Sequence, residues 1–192
     1  EYSDPRIGND YILRSYLATE RDPGAQEEAA ALTLLAEVLG GSQTTSVLAR
    51  KLQFEEQKSI YASAWYSGQS LDDTTFSLVN VPVPGTSLEQ AEADLDRAIA
   101  EFLDEGVDSE KLDRIKTQIR ASEIYALDNV RGLANRYGSG LTAGLTVEDI
   151  QAWPDVLQAV TEEDILAAAR KVFDRRNAVT GFARKSDEEV TQ

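Results

Sequence analysis

The sequence predicts an α+β fold, with an antiparallel-rich sheet and helices packed on one face. Three observations lead there. Strand-like segments cluster instead of alternating strictly with helices, two of them are joined by a short polar turn, and about ninety helical residues follow before one last strand. The resulting order is β-α-α-β-β-α-α-α-α-α-β.

Residues 1–10 read as an extended lead-in, with Pro5 and Gly8-Asn9-Asp10 as breakers. Residues 11–18, rich in aromatic and β-branched side chains, are the first strand. Ala29, Leu32, Leu35, Ala36 and Leu39 recur at helical spacing over 25–39, and Gly40-Gly41 is a natural stop. A second helix is expected over 44–56 with Val47, Leu48, Leu52 and Phe54 facing inward. Strands follow at 59–66 and 74–82, joined by the turn-prone segment 68–73, so a hairpin is the simplest pairing. Alternation within 60–66 is imperfect, as it is when neither face of a strand is freely solvated.

Ser87-Leu88-Glu89-Gln90 has capping-box spacing and opens a helix to about 105. Helices over 110–128 and 129–141 come next, the latter ending among Gly138, Gly140 and Gly144. Thr146 starts a short helix expected to stop near Trp153-Pro154, and Thr161 caps a final helix to Phe173. A last strand at 177–183 completes a single domain, 1–185, before a polar tail, 186–192. Neither internal repeats nor low-complexity segments interrupt it.

Composition removes more chemistry than any motif adds. The 192 residues contain no His and no Cys. A His-based zinc site, a Ser-His-Asp triad and a Cys-His pair are therefore all excluded from this chain. With 19 basic against 34 acidic residues the net charge is −15. Such a surface repels nucleic acid and anionic membranes and attracts basic peptides or basic partner surfaces over long range. No stretch approaches the ~18–20 apolar residues of a membrane span. The start lacks a signal-peptide pattern and the chain has no Met, which suggests a mature or trimmed fragment. A soluble place in the bacterial periplasm or cytoplasm is the expectation.

Acidic groups at Asp72-Asp73, Asp104-Glu105 with Asp108, and Glu162-Glu163-Asp164 fall at helix ends or in a turn, where carboxylates cap backbone N–H groups or stay solvated. The glycines at 138, 140 and 144 follow a helix instead of a strand, and no Lys-Ser/Thr follows them. They read as helix termination, not as a phosphate cradle.

The most specific passage is 44–66, where a helix bearing Arg50 and Phe54 runs into a strand beginning near Tyr61. It is accompanied by Asp4-Pro5-Arg6 before the first strand, Leu35-x-x-x-Leu39-Gly-Gly-Ser42, Glu56-Gln57-Lys58-Ser59-Ile60-Tyr61, Leu141-x-x-Gly144-Leu-Thr-x-Glu-Asp149 and Ala159-Val160-Thr161-x-Glu-Asp164-Ile165. In order and spacing these resemble the C-terminal half-domain of the pitrilysin/insulinase-type (M16) zinc peptidases, which include mitochondrial processing peptidase.

The resemblance implies a LuxS/MPP-like metallohydrolase half-domain. It implies that zinc resides in a partner half or subunit carrying His-x-x-Glu-His, with no cofactor and no metal ligand in this chain. In active members the C-terminal half contributes an Arg and, seven residues later, a Tyr that help bind and polarise the peptide. Tyr61 matches the Tyr, but Phe54 stands where the Arg is expected, and Phe offers no hydrogen bond to a carbonyl or oxyanion. Arg50, one turn earlier, is the candidate substitute, so Arg50 and Tyr61 are the expected substrate-binding residues, with no catalytic residue in this chain. The expected role is the non-catalytic half of an M16 peptidase, which forms chamber wall, peptide contacts and the interface with the zinc half. Alternatives are a free-standing protein-binding or scaffold domain that kept the fold, and an unrelated carboxylate-dependent hydrolase.

Overall fold

The computed structural model describes residues 1–186. Five strands form one mixed sheet in the order β1-β5-β2-β4-β3: β1 (Tyr2–Asp4), β2 (Tyr11–Ala18), β3 (Ser59–Tyr66), β4 (Thr74–Pro82) and β5 (Ala178–Lys185). All pairings are antiparallel except β1 with β5. The segment expected as a plain lead-in thus supplies a three-residue parallel edge strand. The expected hairpin is β3–β4.

Six α-helices complete the fold: α1 (Glu27–Ala36), α2 (Leu88–Glu105), α3 (Ser109–Ala126), α4 (Val130–Thr142), α5 (Val147–Ala159) and α6 (Glu162–Val172). Helix α1 runs on into a π-helical turn, Glu37–Gly41, and the second expected helix is largely π-helical, over Ala49–Glu55. Caps start the later helices where polar residues announce them. Ser87 Oγ accepts from the Gln90 N–H at 3.1 Å. Thr146 with Asp149 and Thr161 with Asp164 form reciprocal boxes that satisfy otherwise orphaned donors.

Helix α5 does not stop at Trp153-Pro154 but continues through Pro154 to Ala159. Proline removes one helical hydrogen bond, and tertiary contacts on either side outweigh that loss. Ile150 and Leu157 are buried, and Arg21 lies 3.9 Å over the Trp153 ring while its Nη2 donates to the Asp149 carbonyl at 2.8 Å. The expected tail at 186–192 lies outside the described residues apart from Ser186.

The core fills the space between one sheet face and the helices. Ile12, Tyr16, Phe76, Leu78, Ala62 and Ala64 point from the sheet towards Leu32, Leu35 and Leu39, Leu95 and Phe102, and Ile165 and Ala169. Phe173 closes the end of the last helix with edge-on contacts to Tyr16 at 5.2 Å and Phe76 at 5.5 Å. One charge enters this face. Arg14 is fully buried and donates to Glu92 at 2.5 Å and to Asp96, both of which also bind Arg175.

Candidate peptide and partner surface

Strand register decides what the other sheet face presents. Ala62, Ala64 and Tyr66 of β3 pair with Asn80, Leu78 and Phe76, which face the helices. The intervening residues Tyr61, Ser63 and Trp65, opposite Val81, Val79 and Ser77, therefore point the other way. Leu13 and Leu17 of β2 and Val179 of β5 share that side. Leu13, Leu17, Tyr61, Trp65 and Val179 are each at least a third exposed, Trp65 at 44%. The result is an apolar face spread across four adjacent strands. Ser15, Ser63 and Ser77 sit among these apolar side chains, with Ser15 and Ser77 hydrogen-bonded to each other at 2.9 Å.

Tyr61 reaches this face through an irregularity. Ser59 pairs with Pro82 but Tyr61, not Ile60, pairs with Val81, so Ile60 is the extra residue of a β-bulge. Ser59 is anchored on the helix side, where its Oγ donates to Asn80 Oδ1 at 2.6 Å. The bulge lets Ser59 stay inward while Tyr61, 36% exposed, turns outward.

Arg50 lies elsewhere. Its Nη1 donates to Glu55 at 2.8 Å, and it borders a cavity of about 220 Å³ with Val38, Val47, Phe102, Glu105 and Lys111. Tyr61 does not border that cavity, and no hydrogen bond joins the two residues among those described. Phe54 is 55% exposed, not inward as expected. The π-helical turn accounts for both facts. Its wider winding brings i and i+5 together, so Glu55 stacks on Arg50 and Phe54 is turned to solvent.

Three contributors to this surface carry no motif. The bulge at Ile60 and the uncovered Leu13–Leu17 stripe are properties of pairing, and only the Tyr61-Ser63-Trp65 alternation hints at them. Gln53, which reaches the bulge, has no signal in the sequence at all.

No group of three carboxylates, His or Cys among the described residues is placed to hold a metal ion. No described helix is long and apolar enough to cross a membrane.

The sheet is thus layered on one side by helices and left open on the other, an α+β half-domain architecture. The sequence model of the peptidase M16 inactive domain matches residues 16–119, more than half of the chain, and the chain belongs to that family. Among solved structures it is similar to a protease from Helicobacter pylori, with TM-score 0.84 and 15% identity over 95% of this chain and 42% of that one. It is also similar to the inactive peptidase domain of a proposed zinc protease from Bordetella parapertussis, with TM-score 0.81 and 14% identity over 97% and 96% of the two chains. A third is the peptidase M16 inactive domain from Pseudomonas fluorescens, with TM-score 0.73 and 18% identity over 96% and 43%. At these identities the likeness shows the fold. The chain spans less than half of the first and third of these proteins. No curated protein sequence matches it.

Proposed function

We propose that this chain is the non-catalytic half of a zinc-dependent M16 peptidase, working beside a half or subunit that carries His-x-x-Glu-His. The apolar sheet face is the observation that carries this reading. It forms chamber wall and the interface with the zinc half, and burying it on association contributes roughly 25 cal/mol per Å² removed from water. Tyr61, outward on the same strand face as Trp65, contacts the peptide through its hydroxyl. Arg50 would add a second contact only by leaving Glu55, an exchange that costs little because the pair is solvent-exposed. The net charge of −15 favours basic or unstructured peptides. No metal-ligand cluster lies among the described residues, and zinc belongs to the partner. Such a domain works as a soluble component of the bacterial periplasm or cytoplasm.

Reconstitution tests this. The zinc half alone should cleave an unstructured basic peptide poorly, and adding this chain should raise turnover by an order of magnitude or more. Equal turnover with and without it would sink the proposal. Arg50→Ala in the reconstituted enzyme should lower turnover, and unchanged turnover would remove Arg50 from the site.

A scaffold reading is favoured by one observation, the exposed Phe54 at the position where active relatives are expected to carry Arg. Under it, the two halves would form a stable complex without gain in peptidase activity.

A further inference from the structure

The outer edge of β3 ends the sheet, and such an edge presents unpaired N–H and C=O groups that invite another strand. Here the two π-helical segments run along it. Lys58 N–H donates to the Leu52 carbonyl at 2.9 Å, and Ser63 Oγ donates to the Gly40 carbonyl at 2.9 Å. Gly40 packs directly on the main chain of Ala64. Between these points lies the bulge, and there the edge is taken by one side chain. In the amide orientation that satisfies both groups, Gln53 Nε2 donates to the Ile60 carbonyl at 3.1 Å and Oε1 accepts from the Ala62 N–H at 3.2 Å.

Ile60 and Ala62 are the neighbours of Tyr61 on either side. A carbonyl and an N–H two residues apart are the pair that one residue of an incoming strand would engage. The Gln53 amide reproduces that residue.

We propose that Gln53 is the positioning residue of Tyr61: by clasping Ile60 and Ala62 as a sixth strand would, it holds the bulge that aims Tyr61 at the open face and closes this edge to strand addition. The inference rests on the reading of Tyr61 as a peptide contact, and it extends that reading to a residue with no contact of its own to the peptide. Without the clasp two main-chain groups lose their partners, and the bulge is free to slip by one residue. A slip of one residue carries a side chain to the opposite face.

Two readouts test it, both on the chain assembled with its zinc half. Amide hydrogen exchange at Ala62 should accelerate about 10-fold or more in Gln53→Ala, the scale of one lost hydrogen bond, while amides of the β2–β4 ladder keep their protection and report that the fold is intact. Gln53→Glu, which accepts from Ala62 but cannot donate to Ile60, should fall between wild type and Gln53→Ala. In peptide cleavage, Gln53→Ala should raise KM about 3–10-fold with kcat little changed. The double variant with Tyr61→Ala should be no worse than Tyr61→Ala alone, as expected when one residue acts through the other. Unchanged exchange at Ala62 overturns the clasp, and multiplying KM effects overturn the positioning role. Should Tyr61→Ala leave KM unchanged, the reading of Tyr61 as a peptide contact fails and takes the positioning role with it. The exchange result then distinguishes that failure from failure of the clasp.

Discussion

Gly40 and Ala64 approach so closely that a Cβ on Gly40 would lie 1.9 Å from the Ala64 nitrogen. Both partners in this contact are backbone, so neither can swing aside. The contact fixes the first π-helical turn, Glu37–Gly41, against the sheet edge.

Gly40→Ala should therefore destabilise the protein at the upper end of the roughly 1–3 kcal/mol typical of overpacking, or beyond it. Urea unfolding would measure the loss. Gly8→Ala, with nothing within 4 Å of the added atom, is the control and should stay within about 0.5 kcal/mol of wild type.

Gln57 joins the second π segment to β3 with φ of 54°, the one left-handed non-glycine among the described residues. A side chain there costs on the order of 1–2 kcal/mol, part of which glycine returns as greater freedom of the unfolded chain. Gln57→Gly should be stabilising by about 0.5–1 kcal/mol, read as a higher denaturation midpoint with unchanged slope. Destabilisation would show that the Gln57 side chain makes a contact worth more than the strain.

Asp94 is buried and accepts from Lys58 at 2.7 Å and Arg97 at 3.4 Å. Burial alone would raise its pKa, but the hydrogen bond and charge of Lys58 outweigh it and hold the carboxyl below the ordinary aspartate range. Its folded pKa is thus below its unfolded one. The stability it contributes is present above about pH 4 and is lost as pH falls through the folded value. Asp94→Asn should flatten the acid limb of a stability profile. Glu37 acts with the opposite sign. Burial pushes its carboxyl up, so its contribution is present at low pH and lost as pH rises through the raised value. Glu37→Gln should therefore steepen the profile's fall below pH 5. Identical profiles for both variants and wild type would contradict these assignments.

Trp65→Asp places a charge on the apolar sheet face, at its β3 edge. The side chain is 44% exposed and points away from the core, so the isolated chain should lose little stability. Association with the zinc half should weaken at least about 10-fold, because the carboxylate is desolvated on contact without a partner. Calorimetric titration of the two halves would measure it. Unchanged affinity would move the interface to another face.

Local sequence was sufficient wherever the physics is local. Tyr11–Ala18, Ser59–Tyr66 and Thr74–Pro82 are the strands that aromatic and β-branched composition predicts, and Thr146 and Thr161 begin helices because their side chains serve the nearest orphaned N–H groups. The absence of His and Cys likewise excluded, before any fold, a zinc site built on either residue in this chain. Helix α5 escaped that reading because Arg21, far away in the chain, reaches over Trp153 and holds the helix across Pro154. Phe54 escaped it because the π-helical winding of Ala49–Glu55 changes which residues stack.

The chain order of its side chains thus determined the class of fold, the identity of most of its strands and the absence of His- or Cys-based chemistry. Which face Tyr61 occupies, and what holds it there, was decided only when Gln53, Ile60 and Ala62 came together in space. Strand faces alternate with every residue, so a single-residue bulge reverses the outcome, and the energy that stabilises the bulge comes from a side chain on a different element.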